Sequence, residues 1–120
     1  MTELIDDPED YSPADFAVMS ILANAKKAMS KSAIMRESIR RYGDLIEHGP
    51  YIYGEYSDDI DEAVEGLVNV GVLDREEAGG YYRITLNEYG SVLFDRFLHG
   101  PIEDEDLEAM KEAILAEVYR

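Results

Sequence analysis

Apolar residues recur at three- and four-residue steps in five stretches of this chain and alternate with polar ones in a sixth. The first stretch holds Phe16, Met19, Leu22 and Ala23, with Val18 and Ile21 at its margin. Ser12-Pro13-Ala14-Asp15 precedes it: a capping serine, a proline suited to the first helical turn, and an acid placed to close a capping box. A helix from Pro13 to Ala25 is predicted. The second stretch, Ala33, Ile34, Ile39 and Tyr42, is capped by Ser30 or Ser32 and stopped at Gly43. The third has Ile60, Ala63, Val64, Leu67 and Val68, opens at Ser57-Asp58-Asp59, and ends at Gly71; Gly66 weakens it unless it serves close packing. Strands Val72–Arg75 and Tyr81–Thr85 follow, joined by a polar tip at residues 76–80. Asn87 caps a fourth helix carrying Val92, Leu93, Phe94 and Phe97, which His99-Gly100-Pro101 breaks. The fifth, within residues 102–119, aligns Leu107, Met110, Ile114, Leu115 and Val118 against an acidic opposite face. Residues 44–56, with Gly49-Pro50 and Gly54, read as a long connection anchored by Leu45 and Ile46.

A two-stranded hairpin is not stable by itself and must lie on helices. The expected class is therefore α+β: a three-helix core, a two-stranded hairpin and two C-terminal helices. Residues 1–11 are expected to be a flexible acidic tail, residues 12–98 the main domain, and residues 101–120 an amphipathic helix. That last helix has two uses open to it. It can fold back on its own domain, or pair Leu107, Met110, Ile114 and Val118 with a second copy.

Charge narrows the function. Twenty-seven acids face eleven bases, a net charge of −16. Non-specific nucleic-acid affinity comes from Lys and Arg neutralising phosphates, so this balance opposes it. Yet Lys26, Lys27, Lys31, Arg36, Arg40 and Arg41 stand together with only Glu37 against them. They are either a solvated helix face or a patch for an anionic partner. There is no cysteine, which excludes disulfides, cysteine-ligated zinc and cysteine nucleophiles. No run of 18 apolar residues suggests a membrane span, and the acidic start lacks a secretory pattern, so a cytoplasmic location is expected.

The chemistry-bearing residues are sparse. His48 and His99, about fifty residues apart, read as surface histidines near helix ends rather than as a metal pair or a base. Asp58-Asp59-x-Asp61-Glu62 lacks the glycine and terminal glutamate spacing of a calcium loop and reads as a helix start. No catalytic residue, metal or cofactor is expected. Six of nine tyrosines gather around the long connection and the hairpin, and Tyr51 and Tyr53 are the aromatic candidates for a partner contact. Strand alternation sets Tyr82 with Ile84 on one face and Tyr81 with Arg83 on the other.

Leu67-x-x-x-Gly71-Val72-Leu73, the hairpin, and Tyr82-Arg83-Ile84-Thr85-Leu86-Asn87-Glu88-Tyr89-Gly90 together resemble the winged helix-turn-helix signature of MarR- and PadR-type prokaryotic regulators. The glycines after helix three and early in helix four are its most specific points. Asn87 departs from the pattern, standing where those families usually carry threonine. The resemblance implies that helix three enters the major groove and the hairpin wing touches the backbone. Helix three here offers Asp58, Asp59, Asp61, Glu62 and Glu65 and no base, while groove reading needs Arg, Lys, Asn or Gln. Glu76 and Glu77 add to the acids; only Arg75 and Arg83 of the wing could meet phosphate. Three uses follow. One is a non-enzymatic module for protein contacts, with the acidic helix as the partner surface. Another is a dimeric DNA-binding regulator docking through the basic second helix. The third, an enzyme subunit, has no supporting residue pattern.

Overall fold

The computed structural model describes residues 7–51 and 54–118, with the side chains of Tyr51 and Val118 outside the description. The elements follow in the order α1 (Pro13–Ala25), α2 (Lys31–Tyr42), β1 (Gly49–Tyr51), β2 (Gly54–Tyr56), α3 (Asp58–Asn69), β3 (Leu73–Ala78), β4 (Tyr81–Leu86), α4 (Glu88–His99) and α5 (Glu105–Val118). The class is α+β, as the periodicity predicts.

Local chemistry sets the helix boundaries. Ser12 and Asp15 form the full capping box of α1, Ser12 Oγ accepting from Asp15 N and Asp15 Oδ2 from Ser12 N. Ser30, Ser57 and Asn87 cap α2, α3 and α4 in the same way, each accepting from the backbone N–H three residues on. Helix α1 is buried nearly all round and forms the centre. Phe16, Met19 and Leu22 lie among Ile34 and Tyr42 of α2, Ile60, Val64 and Leu67 of α3, and Leu93 and Phe97 of α4. Phe16 and Phe97 stack at 3.7 Å between centroids. A short polar link in this core joins Ser20 Oγ and Tyr42 Oη at 2.7 Å.

Strands β3 and β4 pair antiparallel from Leu73↔Leu86 to Ala78↔Tyr81. Both strands run longer than the sequence pattern predicts, because the turn is only Gly79-Gly80, at φ 61° and 87°. A two-residue turn with both φ positive matches strand twist. A further backbone bridge lies outside what the pattern predicts. Met29 exchanges both backbone hydrogen bonds with Ile84, at 3.0 and 2.8 Å. Ile84, completely buried, thereby carries the hairpin root onto the core.

The glycine of α4 has a steric reason. A Cβ on Gly90 would lie 2.4 Å from the Val72 carbonyl oxygen and 2.6 Å from Leu86 Cδ1, so the helix start can dock on the hairpin root only without a side chain there. Asn87 completes the joint. Its Oδ1 accepts from Gly90 N while its Nδ2 donates to Gly71 O at 2.7 Å and Asp74 Oδ1 at 3.1 Å. A threonine hydroxyl could cap but could not make both donations, which accounts for asparagine at this position.

Four expectations change. The connection at residues 44–56 is not structureless: β1 and β2 pair antiparallel, Gly49↔Tyr56 through Tyr51↔Gly54. Ile46 is its anchor, whereas Leu45 is exposed. A Cβ on Gly66 would meet nothing within 4 Å, so this glycine serves no close packing. A free tail through Tyr11 does not hold from Asp7 onward. Pro8–Asp10 form a 3₁₀ turn, the Tyr11 ring meets the Phe16 ring edge-on, and the Glu9 carboxylate accepts from Glu103 N and Asp104 N at 3.1 and 3.2 Å. Those exposed amides lead into α5, where an acid is favoured by the positive end of the helix dipole.

Candidate macromolecular interface

Helix α3 turns Ile60, Ala63, Val64 and Leu67 inward, leaving its acids on the outer arc. Asp58, Asp59 and Glu62 are exposed and make no ion pair among the described residues. Asp61 and Glu65 lie on the flank toward the hairpin. Lys31, at the start of α2, reaches both, with Nζ 2.9 Å from Glu65 Oε2. Arg75 of β3 closes on Glu65 from the other side, one nitrogen within 3.0 Å of each carboxylate oxygen, and its guanidinium lies 5.4 Å from the Tyr82 ring centroid. Hydrogen bonds from Lys31 and then Arg75 hold the Glu65 carboxyl below its ordinary range. For Lys31, partial burial acts to lower the ammonium pKa, but the bonds to Asp61 and Glu65 outweigh it and the net direction is upward.

The six bases of the predicted patch therefore do not form one stripe along α2. Lys31 is spent on α3. Arg40 and Arg41 turn to Glu37, at 2.7 and 3.5 Å, and the Arg40 bond in particular holds Glu37 below the usual carboxylate range. Lys26, in a left-handed conformation (φ 55°), terminates α1 and is exposed. Lys27, Arg36, Arg41 and Arg83 instead border one groove of about 460 Å³ between the α1–α2 turn, α2 and β4. Lys26, Lys27, Arg36 and Arg83 make no ion pair among the described residues. Arg83 thus joins bases assigned to helix two, and separates from Arg75, with which the sequence pairs it on the wing.

A second, larger groove of about 840 Å³ adjoins the first. Met35 and Ile39 of α2 form its floor, and Tyr56, Tyr81 and Tyr82 its sides. Tyr81 is 71% and Tyr82 58% exposed. The aromatic candidates Tyr51 and Tyr53 fall outside the described side chains.

Leu107, Met110 and Ile114 are not available to a second copy. All three are buried within the chain's own core, where α5 packs on α1 and α4. The stripe covers apolar surface of α1. Val118 lies outside the described side chains. His48 Nδ1 meets Glu55 Oε1 at 2.6 Å, and His99 Nδ1 meets the Asp95 carbonyl oxygen at 3.0 Å, so each is tied locally at the surface. Among the described residues no three His, Asp or Glu side chains converge as a metal site, and no helix is long and apolar enough to cross a membrane.

The order of three helices and a two-stranded hairpin, with the α1–α2 turn bridging to the hairpin at Met29 and Ile84, fixes the architecture. The fold is a winged helix-turn-helix. It is similar to the crystal structure of a MarR-family transcriptional regulator from Silicibacter pomeroyi, at 18% identity and TM-score 0.56 over 92% of this chain. The match takes in 59% of that regulator, so this chain spans less than two thirds of its length. It is also similar to F-93 of SSV1, at 13% identity and TM-score 0.51, covering 91% of this chain and 92% of that one. No protein-family model matches the sequence. No curated protein matches it either. In this winged helix, β3–β4 is the wing and α3 occupies the recognition-helix position.

Proposed function

We propose that this winged-helix protein is a non-enzymatic, regulator-type macromolecular interaction module that works through protein contacts rather than by reading DNA with α3. One observation carries this reading. The outward carboxylates Asp58, Asp59 and Glu62 make no ion pair among the described residues, while Lys31 and Arg75, the bases beside α3, are held by Asp61 and Glu65. A phosphate backbone brought to this face would meet carboxylates and bases already engaged, and base edges would meet acceptors suited to few positions. A basic protein surface would meet complementary charge.

The basic groove supports a second reading, a dimeric regulator that docks on DNA through α2. Its contacts would come from Lys27, Arg36, Arg41 and Arg83, since Lys31 is engaged on α3, and its dimer would need a surface other than the buried α5 stripe. A titration of mixed-sequence duplex DNA separates the two. The protein-contact reading expects no binding at about 50 mM salt. Salt-sensitive binding that disappears when Arg36, Arg41 and Arg83 are neutralised would replace it with the second reading.

A further inference from the structure

The two grooves meet at Ser30 and Arg36, which line both, and together they make a trough across α2 and the wing with Arg36 at the junction. One end is apolar and aromatic, with Met35 and Ile39 beneath the exposed Tyr81 and Tyr82. The other end is cationic, with Lys27, Arg36, Arg41 and Arg83 converging from three elements and Glu37 the one acid among them. Three of those four bases carry no ion pair among the described residues, although the chain has 27 acids for 11 bases. The α2 N-terminus opens at Ser30 between the two ends and adds the positive end of a 12-residue helix dipole.

We propose that this trough docks an acidic peptide segment of a partner protein, with one aromatic or aliphatic anchor seated on Met35 and Ile39 and adjoining carboxylates over Arg36 and Arg83. The inference rests on the protein-contact reading and assigns it a surface. The charge pattern sets a direction. At the apolar end Asp61 already holds Lys31 and Glu37 holds Arg40, whereas Lys27, Arg36 and Arg83 have no ion pair among the described residues, so the carboxylates of the segment lie on the wing side of the anchor. A duplex suits the trough less well. It has no apolar group to fill the floor, and its phosphates would approach Glu55 and Asp61 as well as the arginines. Tyrosine walls beside arginine favour a peptide anchor, because both side chains combine apolar area with a polar edge.

The test is fluorescence anisotropy with full-length protein and labelled ten-residue peptides carrying one phenylalanine or leucine followed by glutamates. Binding is expected, and it should weaken about tenfold in R36Q/R83Q and become less salt-sensitive, as loss of charge-assisted contacts requires. Tyr81→Ser with Tyr82→Ser should weaken it about as much while leaving the salt dependence in place. These side chains are exposed, so the variants should keep the parent's melting temperature, which circular dichroism checks. A peptide with alanine in place of the anchor should lose more affinity for the parent than for the tyrosine variant, which keeps Met35 and Ile39 but not the walls. The proposal falls if neither peptide binds at about 1 mM, or if binding ignores both sets of substitutions. In those cases, absence of duplex binding leaves the protein-contact reading standing on the α3 face. Duplex DNA binding through Arg36 and Arg83 would sink both.

Discussion

Replacing Gly90 by alanine tests whether the wing is set by contact with α4. The added Cβ would sit 2.4 Å from the Val72 carbonyl oxygen and 2.6 Å from Leu86 Cδ1. The leucine end can turn away. The carbonyl cannot, because it belongs to the hairpin root and accepts from Asn87 N at 3.3 Å. Either α4 lifts from the root or the root shifts, and overpacking of this kind costs about 1–3 kcal/mol. Alanine offsets about 0.5–1 kcal/mol of that by its better helix propensity and its stiffer unfolded chain. The net expectation is a loss of up to about 2.5 kcal/mol, read as a fall in Tm of up to about 10 °C for a domain of this size. Gly66→Ala is the internal control. Gly66 lies in the interior of α3 with no contact waiting for a side chain, so the same substitution should stabilise by about 0.5–1 kcal/mol. Thermal melts and urea titrations of both variants at neutral pH decide it. If Gly90→Ala raises stability alongside Gly66→Ala, the close approach is not what requires glycine, and the account of the signature is wrong.

Three further outcomes are expected. Glu65→Gln should cost up to about 1 kcal/mol at pH 7, the size of a surface ion-pair network. Because the folded carboxyl is held below its ordinary range, that contribution is complete above the unfolded pKa and is lost as pH falls through the folded one. Parent and variant should therefore converge in urea stability near the acid limit, and a difference that persists there refutes the assignment. Met110→Ala should destabilise by about 2–5 kcal/mol, since its side chain is fully buried within one chain. Sedimentation should show no change of assembly, and dissociation of an oligomer would revive the dimer helix. Tyr42→Phe should cost about 1 kcal/mol by stranding the Ser20 hydroxyl, and Ser20→Ala in the same background should recover part of it in denaturant titrations.

Much of the fold is legible in the sequence because each boundary has a local cause. Ser12, Ser30, Ser57 and Asn87 announce helices by side chains that serve amides three residues away, and Gly79-Gly80 announces a turn by its backbone alone. Features that depend on distant partners are not legible. Met29 looks like a loop residue until Ile84 arrives to exchange hydrogen bonds with it. Residues 49–51 and 54–56 are too short, and too rich in Gly and Pro, to register as strands. At the site, the sequence can count bases but not say which are already engaged. Lys31 and Glu65 are 34 residues apart, and no spacing rule links them. Arg75 and Arg83 share a hairpin, yet alternation and twist send one to α3 and the other to the α2 groove.

The Lys31–Asp61–Glu65–Arg75 network also explains why the charge on this scaffold is arranged as it is. A wing must be held in a fixed relation to α3, and the core contact at Ile84 anchors only its root. On the strand opposite, β3 is exposed beyond Leu73, and Arg75, the ladder partner of Ile84, adds ion pairs to Glu65 that fasten this strand to the helix. A wing fastened this way requires acids on the flank of α3 and takes up the cations that would otherwise serve an anionic partner there. Bases without an ion pair among the described residues, Arg36 and Arg83 above all, face the trough between α2 and the wing instead. The surface available to an anionic segment is thus displaced from the recognition-helix position to the α2–wing side. On that argument, releasing Arg75 by Glu65→Gln should loosen the wing without improving any affinity for duplex DNA, because Asp58, Asp59 and Glu62 still line the face the duplex would have to approach.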